Sequence, residues 1–305
     1  MTILSTVILS WENPEDTVAC ARSVIASISA AGIDASRVVI VDNGSTAATV
    51  AQLSQQLDEM RDPRITLIRN DHNRGFSVGM NTGIRACRAA GRSEYYWLLN
   101  NDLEVDSGAV KALLAAARAS PHTAIWGPTI ISRKTGKVEC AGGCKYLPLI
   151  GYFFQAYAGM QADRLAQQAA PAIDYISGAA MFLRGDFLDR IDGLDESYFL
   201  YFEELELARQ LEPGEKLSWN RYAIVYHAGG GSSVIPGVER IKTREATRSA
   251  LRYSGRYHPY CLPTVFLARL FGILLRGIRQ LDPGLPWAVL TGTYDYLSDR
   301  YRGHS

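Results

Sequence analysis

The sequence predicts an α/β fold in which helices cover both faces of a doubly wound, mostly parallel sheet, with a helical extension at the C-terminus. Short, nearly continuous apolar runs alternate with helix-like segments through the first 130 residues. Such alternation is typical of parallel strands that crossover helices bury on both faces. From about residue 238 onward the pattern is helical and basic. The length of 305 residues is sufficient for one large domain with such an extension.

The elements of the first half follow one another as strand–helix pairs. The strand-like "STVILSW" precedes the helical "PEDTVACARSVIASISAAG", and "RVVIVDN" precedes "TAATVAQLSQQLDEM". In the same way "RITLIRN" precedes "SVGMNTGIRACRAAG", and "YYWLLNND" precedes "SGAVKALLAAARAS". A further strand-like run, "TAIWGPTII", ends the series. Right-handed crossovers between successive strands give a doubly wound sheet.

The pattern changes after about residue 131. The stretch "SRKTGKVECAGGCKYLPLIGYFFQAYAG" has turn residues and aromatics but no helical period, which predicts a hairpin or irregular structure over the sheet. "AAMFLR" and "LSWNRYAIVYH" predict two more strands, and "RGDFLDRIDGLDE" predicts a helix followed by a turn. The extension contains two helical stretches, "VERIKTREATRSALRYSGRYH" and "LPTVFLARLFGILLRGIRQL".

Charge and composition exclude several functional classes. The formal net charge of +1 provides no overall field for binding nucleic acid. The five cysteines are irregularly spaced, and the close pair in "CAGGC" lacks the further ligands of a zinc site, so we expect free thiols. The N-terminal "MTILSTVILSW" has no basic region or cleavage site and predicts a first strand, not a signal peptide. No run approaches the ~20 apolar residues of a membrane span.

Polar residues follow the predicted strands at the points where they end. Asp42, Asn70, Asn100 and His227 each stand at such an end. In open parallel sheets, ligands bind beyond the carboxyl ends of the strands, so a shared ligand explains these positions better than separate turns. The first strand is followed by "SWENPED" without a glycine-rich fingerprint, and "RKTGK" lacks the spacing of a P-loop. Dinucleotide and P-loop nucleotide sites are therefore disfavoured.

Six motifs in a fixed order resemble those of family 2 glycosyltransferases, and most of all the rhamnosyltransferase-like branch. They are "VDNGS", "NRGFSVGMNTGI", "WLLNND", "ISGAAMFLR", "FLYFEELELARQL" and "HAGGGSS", and the resemblance covers roughly residues 3 to 233. It implies a GT-A fold with a Rossmann-like sheet, a nucleotide-sugar donor, a divalent metal and inversion at the anomeric carbon. It also implies a catalytic domain over residues 1–235, with a donor half (1–105) and an acceptor half (106–235), before an extension over 236–305.

The resemblance places the nucleotide-sugar donor on the first half of the sheet. Asp42 resembles the residue that accepts the imide N–H of uracil or thymine, although an Asx-turn cap explains the same carboxylate. Glycines in "NRGFSVGMNTG" let the backbone approach a ligand closely, and the arginine could reach a phosphate. The donor-binding residues implied in this way are Asp42, Asn73, Arg74, Gly75, Asn81, Asn100 and Asn101.

The family carries a metal-binding element of the Asp-x-Asp type at the end of the strand predicted from "YYWLLNND". In this sequence the three positions are Asn100, Asn101 and Asp102. Only Asp102 offers a charge, so the resemblance assigns it as the direct ligand and makes Asn100 a sugar or ribose contact. His227 resembles a late metal-binding histidine, although a strand-end histidine bonded to backbone is the alternative. Mixed oxygen and imidazole ligands suit Mn²⁺ or Mg²⁺. With one carboxylate missing from the pattern, we expect the metal to enter with the donor phosphates.

Inverting transfer requires a base on the acceptor side. Related family members place an acidic pair at the start of a helix, with the second acid as base, which implies Glu204. They commonly carry aspartate there, so Glu203 stays open as the base. A helix N-terminus that favours acids through its dipole is the structural alternative for both. Acceptor-binding positions implied by the motifs are Ser177, Gly178, Asp195 and Tyr201.

The tail stretch "LPTVFLARLFGILLRGIRQL" has a wide apolar face interrupted by Arg269, Arg276 and Arg279. This pattern suits an interfacial helix on an anionic membrane, a helix packed on the catalytic domain, or a homodimer contact. We therefore expect a cytoplasmic protein that can be peripheral at the inner face of the plasma membrane.

The function implied is transfer from a UDP- or dTDP-sugar, with dTDP-rhamnose favoured, to a saccharide or lipid-linked acceptor in cell-surface polysaccharide synthesis. The alternative is a catalytically degenerate GT-A domain that serves as a binding or scaffold protein. A nucleotidylyltransferase is disfavoured, because "SWENPED" is acidic where a basic phosphate loop is needed.

Overall fold

A computed structural model describes residues 2–229, 237–280, 282 and 284–302, without the side chains of 275–280, 301 and 302. The α/β class predicted from the sequence is confirmed, with a large sheet, a small sheet and helices around them. The strands are β1 (Thr2–Ser10), β2 (Ser36–Asp42), β3 (Ile65–Arg69), β4 (Ser93–Asn100), β5 (Leu103–Val105), β6 (Thr123–Ser132), β7 (Val138–Ala141), β8 (Gly143–Leu147), β9 (Tyr152–Gln155), β10 (Tyr175–Ile176), β11 (Ala180–Arg184) and β12 (Lys216–His227).

The helices cover the sheet and form the C-terminal extension. They are α1 (Pro14–Ala30), α2 (Ala47–Met60), α3 (Phe76–Ala89), α4 (Ala109–Ala119), α5 (Gly185–Ile191), α6 (Glu203–Arg209), α7 (Val238–Tyr257), α8 (Leu262–Gln280) and α9 (Gly284–Arg302), with short 3₁₀ helices at Ala162–Gln167 and Pro259–Cys261. α1 shows how the sequence sets a helix start, because the Asn13 side chain accepts from the Asp16 N–H and Pro14 occupies the first turn.

The large sheet has the order β3-β2-β1-β4-β11-β6-β12-β5, with β7 beside β6. β3, β2, β1 and β4 are parallel, whereas β11 runs antiparallel between β4 and β6. β12 is parallel to β6, and the short β5 is antiparallel to β12. The sheet is therefore mostly parallel, as predicted. β5 was not predicted, because the sequence reads as a loop directly after the polar tip of β4.

The stretch predicted as a hairpin or irregular structure forms β7 and a small antiparallel sheet in the order β10-β8-β9. Aromatic side chains fill the core of the large sheet beneath it. Phe182 on β11 contacts Trp97 on β4 and Trp126 on β6 edge to face, with centroid distances of 6.4 and 6.0 Å. All three side chains are fully buried. These contacts hold the antiparallel strand in the centre of the sheet.

The extension packs on the second half of the sheet. Ala250, Leu251 and Tyr253 of α7 and Val265 of α8 belong to the same apolar core as the strands. The hydroxyl of Ser249 donates to the carbonyl of Leu200, at 2.9 Å. The predicted boundary at residue 235 lies within 230–236, outside the described residues, as does most of "GGGSS". The side chains of Arg276 and Arg279 also lie outside them. Among the described helices, none is long and apolar enough to cross a membrane.

Candidate active site

Three strand ends define one edge of the parallel half of the sheet. Ser10, the last residue of β1, pairs with Asp42 on β2, and Leu9 pairs with Asn100 on β4. Asp42 and Asn100 therefore stand at nearly the same level on either side of β1. Two strand spacings separate them by roughly 10 Å. This edge matches the position at which open α/β sheets bind ligands.

The carboxylate of Asp42 is completely buried at this edge. Its Oδ2 accepts the Ser45 N–H at 3.2 Å, so the turn-cap interpretation holds for one oxygen. Oδ1 is also buried and has no hydrogen-bond partner among the described residues. A buried oxygen without a partner is costly, and a ligand N–H would satisfy it. Both interpretations of Asp42 are thus compatible with its geometry.

Asn43 organises the loop that leads to α3, a role the sequence interpretation missed. Its Nδ2 donates to Asn73 Oδ1 and to the Gly75 carbonyl, both at 3.0 Å. Its Oδ1 accepts from Asn70 Nδ2 at 3.0 Å and from the Arg74 N–H at 3.4 Å. Asn43 follows Asp42 in "VDNGS", but the sequence does not show which loop its amide would bind.

The glycine that precedes α3 lies where the predicted donor loop meets the loop before α6. Gly75 has φ 87° and ψ 177°, a region that is essentially restricted to glycine. A Cβ on Gly75 would lie 2.4 Å from the carbonyl oxygen of Phe199. The next residue, Phe76, donates its N–H to that same carbonyl at 2.6 Å. The loop predicted to bind donor is therefore bonded directly to the loop that precedes the acidic pair.

The two predicted metal ligands lie side by side. His227 Nε2 is 3.0 Å from Asp102 Oδ2, and its Nδ1 is 2.7 Å from Oε2 of Glu139 on β7. Hydrogen bonds with Asp102 and Glu139 raise the pKa of His227 to about 9, although burial opposes this. Glu139 was not predicted, because nothing in the local sequence of a hairpin strand indicates contact with a distant histidine.

These residues fit a divalent cation. The carboxylate–histidine contact through Nδ1 orients the imidazole so that Nε2 is available on the Asp102 side. Asp102 Oδ1 is buried and has no hydrogen-bond partner among the described residues. The described part of the chain contains no ready set of three or more converging ligands. A cation held by Asp102 and His227 would therefore need further oxygens, such as those of a diphosphate.

A cavity of about 330 Å³ adjoins His227. It is bordered by the tip of β4, the small sheet, the loop before β11 and the start of α6. Its lining includes the predicted residues Asn100, Ser177, Gly178, Tyr201, Glu203, Glu204 and His227, together with Phe153 and Tyr175. The fold thus brings one predicted metal ligand, both candidate bases and three of the predicted acceptor positions to one space.

Glu203 and Glu204 differ in their surroundings. Glu203 is 2% exposed, and its buried Oε2 has no hydrogen-bond partner among the described residues. Burial, together with the neighbouring Glu204 carboxylate, raises the pKa of Glu203 well above its ordinary value. Burial also raises the pKa of Glu204, but backbone hydrogen bonds at Glu204 itself and at Gly178 and Phe202 oppose the rise. Within the pair, Glu203 is buried and Glu204 is half-buried, so Glu204 is the carboxyl group with more access to solvent.

A strained turn precedes the acidic pair. Tyr201 and Phe202 have φ values of 65° and 73°, uncommon for residues with bulky side chains. Phe202 is held in place by Tyr146 and Tyr253, with centroid distances of 5.9 and 5.7 Å. The guanidinium of Arg269 on α8 lies 5.8 Å from the Phe202 ring. Packing from the extension therefore supports the backbone conformation that directs the acidic pair into the cavity.

Eight predicted site residues do not line this cavity. Five of them lie at the strand edge described above, and the other three, Asn81, Asn101 and Asp195, bond to other parts of the protein. Asn81 is buried and bridges α3 to residues 194–196 through the Leu194 backbone and the Glu196 carboxylate. Asn101 donates to the Asn13 carbonyl and to the Thr17 hydroxyl at the start of α1.

Asp195 is the third of these residues. It accepts the Ser197 N–H at 2.9 Å and pairs with Arg256 at 3.3 Å. The sequence did not predict these contacts, because most of the partners are distant along the chain, and the binding roles of the three residues stay predictions.

With the role that the resemblance implies for Glu204, replacing Gly178 by alanine is expected to lower sugar transfer without unfolding the protein. A Cβ there would lie 2.7 Å from Glu204 Oε1, the mobile end of a side chain, so the carboxylate would have to move. We expect a melting temperature close to that of the original chain, unchanged donor binding and reduced kcat. Gly272→Ala is the matched control, because its Cβ would meet nothing within 4 Å. Equal kcat for the two variants would contradict contact between Gly178 and a working Glu204.

Residues 5–187, more than half of the chain, match the profile of the family described as Glycosyl transferase family 2. The chain belongs to glycosyltransferase family 2. The matched range of this family 2 member includes Asp42, Asn100, Asp102 and Gly178, whereas the acidic pair and His227 lie beyond it.

Two characterised relatives support the same assignment. This family 2 glycosyltransferase is 27% identical over 206 residues to N-acetylglucosaminyl-diphospho-decaprenol L-rhamnosyltransferase of Mycobacterium tuberculosis, covering 61% of the chain and 64% of the relative. It is 25% identical over 203 residues to the low-salt glycan biosynthesis hexosyltransferase Agl10 of Haloferax volcanii, covering 67% of the chain and 59% of the relative. The chain thus spans less than two thirds of the length of each of these relatives.

Solved structures share the fold of this glycosyltransferase. The mannosyltransferase PcManGT of Pyrobaculum calidifontis, in complex with GDP-Man and Mn²⁺, aligns with a TM-score of 0.55 at 14% identity, covering 97% of the chain and 87% of that structure. GalNAc-T7 with UDP, GalNAc and Mn²⁺ aligns with a TM-score of 0.57 at 15% identity, covering 82% of the chain and 47% of that structure. The predicted GT-A fold is therefore confirmed.

Proposed function

We propose that this protein transfers a sugar from a UDP- or dTDP-sugar to a saccharide or lipid-linked glycan acceptor, with inversion at the anomeric carbon. The observation that carries the proposal is the cavity that is lined by His227, which contacts Asp102, and by the Glu203–Glu204 pair. A leaving-group site and a base site that border one small space are what a direct displacement needs. The rhamnosyl activity named for the Mycobacterium tuberculosis relative favours dTDP-rhamnose as donor.

The donor would lie along the edge of the parallel strands. The unsatisfied Oδ1 of Asp42 is available to accept the imide N–H of a pyrimidine base. The loop held by Asn43 places Asn73, Arg74 and Gly75 beside this position, where Arg74 is exposed. Asn100 on the other side of β1 lines the cavity and would contact ribose or sugar. The donor would therefore place its base at Asp42 and its reacting sugar in the cavity.

Asp102 and His227 would hold Mn²⁺ or Mg²⁺, with Glu139 fixing the imidazole through Nδ1. Such a cation neutralises charge on the leaving diphosphate. Because the Nε2 lone pair is needed for a metal, His227 must first lose the proton that its two carboxylate neighbours favour. The contact between Nδ1 and Glu139 keeps Nε2 directed toward Asp102 before and after this proton is lost.

Glu204 would act as the base. The acceptor hydroxyl oxygen forms a bond to the anomeric carbon as the bond from that carbon to the diphosphate oxygen breaks. The hydroxyl proton passes to the Glu204 carboxylate, and the nucleoside diphosphate leaves with the bonding electrons. Glu203 would keep its own proton because it is the more deeply buried member of the pair. Ser177, Gly178 and Tyr201 line the cavity beside Glu204 and would contact the acceptor.

The biological setting of the proposal is synthesis of a cell-surface polysaccharide. We propose a cytoplasmic location, with peripheral contact at the inner face of the plasma membrane or a homodimer formed through the C-terminal helices. The lipid-linked acceptor is supported by the decaprenol-linked substrate in the name of the Mycobacterium tuberculosis relative.

A thermal-shift panel of nucleotide sugars with Mn²⁺ tests the donor assignment. A ligand at a hundred times its Kd stabilises a folded protein by about 2.7 kcal/mol, which raises the melting temperature by several degrees. We expect UDP- or dTDP-sugars to give such a shift only with the metal, and GDP-sugars to give none. No shift with any member, together with no donor hydrolysis, would favour the degenerate binding or scaffold protein.

A further inference from the structure

Exposed apolar side chains are concentrated on one part of the molecule. Of the fifteen large ones in the described chain, twelve lie on the β8–β9 hairpin, α8 and α9, and residues 2–146 have none. The twelve are Leu147, Leu149, Ile150, Tyr152, Phe154, Leu267, Phe271, Leu274, Trp287, Leu290, Tyr294 and Leu297. Single exposed apolar residues are common, but such a concentration marks an interaction surface.

The β8–β9 hairpin has two faces with different roles. Cys144 and Tyr146 pair with Gln155 and Phe153, and three of these four line the proposed acceptor cavity. The alternate positions pair Lys145 with Phe154, and Leu147 with Tyr152. All the members of these alternate pairs are exposed. A solvent-facing strand surface is normally polar, whereas three of these four side chains are apolar, so this outer face indicates an interaction surface.

The extension contributes a second exposed apolar surface in contact with the hairpin. Thr264 and Arg269 of α8 bind the carbonyls of Leu149 and Gly151 in the hairpin turn, at 2.5 and 2.8 Å. Leu267 and Phe271 are 57% and 69% exposed on the face of α8 that they share with Thr264, opposite Arg269. On α9, residues 287, 290, 294 and 297 follow the helical period and form an exposed stripe.

Charge distinguishes among the partners that such a surface could bind. No aspartate or glutamate occurs between residues 140 and 162 or between 246 and 281. The second interval contains six arginines. On α9, Asp295 binds Arg244 at 2.6 Å and Asp299 binds Arg252 at 2.5 Å, so both carboxylates face α7. The arginines of α7 in this interval, Arg248, Arg252 and Arg256, pair with carboxylates, and Arg269 lies against the Phe202 ring. The sequence of α8 adds Arg276 and Arg279 with no acid to balance them, so the surface is apolar and α8 contributes positive charge.

We propose that the outer face of the β8–β9 hairpin and the exposed faces of α8 and α9 form a docking surface for an anionic lipid bilayer. Aromatic and leucine side chains beside arginines and no acids are the composition that binds such a surface. A second copy of the chain is a poorer partner, since a two-fold interface would place the same cationic segment against itself.

This docking surface has a consequence for the acceptor, which rests on the proposed function. The hairpin is a single layer, so its inner side chains border the cavity while its outer side chains contact the bilayer. The acceptor cavity therefore lies one strand layer behind the membrane surface. A sugar attached to a membrane lipid by a short linker could enter it while the lipid tail stays in the bilayer.

Vesicle flotation of the full chain tests the proposal. Vesicles of phosphatidylcholine alone are compared with vesicles containing about a third phosphatidylglycerol, and we expect at least about tenfold tighter binding to the second kind. Leu149→Ser with Phe154→Ser alters the hairpin, and Leu267→Ser with Phe271→Ser alters α8. Each pair is expected to weaken binding about tenfold or more. Tyr222→Ser on β12 and Ile241→Ser on α7, at exposed sites outside the hairpin, α8 and α9, are the controls and are expected to bind like the original chain.

Three results would overturn the proposal. They are equal binding to both kinds of vesicle, no binding to either, and loss of binding in the controls to the same extent as in the paired variants. A dimer in light scattering that the α8 variants convert to monomer, without vesicle binding, would assign the surface to a second copy. Circular dichroism melting of each variant confirms folding. Metal-dependent donor binding in solution is measured in parallel, so failure of the membrane proposal is distinguishable from failure of the proposed enzymatic function.

Discussion

Asp102→Ala is expected to abolish the metal-dependent binding of UDP and dTDP and to lower sugar transfer at least about a hundredfold. Asp102 is the only charged residue at the tip of β4, and its Oδ1 is buried without a protein hydrogen-bond partner. No neighbouring carboxylate on that tip can replace it. Isothermal titration calorimetry of each nucleotide, with and without Mn²⁺, measures the effect directly.

The control for this experiment is Asp106→Asn, four residues further along the chain. Asp106 Oδ1 accepts the Gly108 N–H at 2.9 Å, and an asparagine oxygen can do the same, so we expect unaltered nucleotide binding. Thermal melting verifies that both variants are folded. Metal-dependent binding by the Asp102 variant with the affinity of the original chain would eliminate Asp102 as a metal ligand.

Glu204→Gln is expected to leave donor binding intact and to reduce transfer by about 10²–10⁴-fold, the range for loss of a general base. The substitution keeps the size of the side chain while removing its ability to take a proton. Glu203→Gln is the matched comparison, because Glu203 is the more buried neighbour and is expected to remain protonated. Product formation at saturating donor and acceptor, measured beside donor affinity, separates catalysis from binding.

Reversal of this pattern would reassign the base. If Glu203→Gln removes transfer while Glu204→Gln retains it, Glu203 is the group that accepts the proton. A large loss in both variants would show that the two carboxyl groups act as one coupled unit, as closely spaced acids can. Retained transfer in both would place the base elsewhere and remove the acidic pair from the proposal.

The fold was largely predictable because hydrophobic periodicity is a local property. Runs such as "RVVIVDN" and "YYWLLNND" are buried strands in the structure, and the segments between them are helices. Strand direction is less local. The run "AAMFLR" was predicted as a strand, but its antiparallel position between β4 and β6 depends on Phe182 packing between two tryptophans on other strands.

The candidate site was predictable to the extent that strand ends determine it. Asn100, Gly178, Glu204 and His227 come from distant segments and line one cavity, while their roles in binding and catalysis stay predictions. The partners of a polar side chain are set by tertiary packing, which motif order does not encode. For this reason the contacts of the Asn81 amide with residues 194–196 were not predicted, and its assignment to the donor stays a prediction.

For the same reason Asn43 and Glu139 were overlooked. Asn43 holds the donor loop through contacts with residues 70–75, and Glu139 orients His227 from a hairpin strand. Neither contact follows from the spacing of residues along the chain. A search for short polar side chains beside strand ends would have found Asn43 but not Glu139.

The hydrogen bond from the Phe76 N–H to the Phe199 carbonyl limits how the protein can be recombined with its relatives. At 2.6 Å, with no space for a Cβ on Gly75, it holds the start of α3 against the loop before α6. A chimera that exchanges only the first half of the sheet would join two loops that had not been fitted to each other. Segments 73–76 and 195–204 would therefore have to be exchanged together. For the same reason, substitutions that alter the donor loop would have to stay compatible with the loop before the acidic pair.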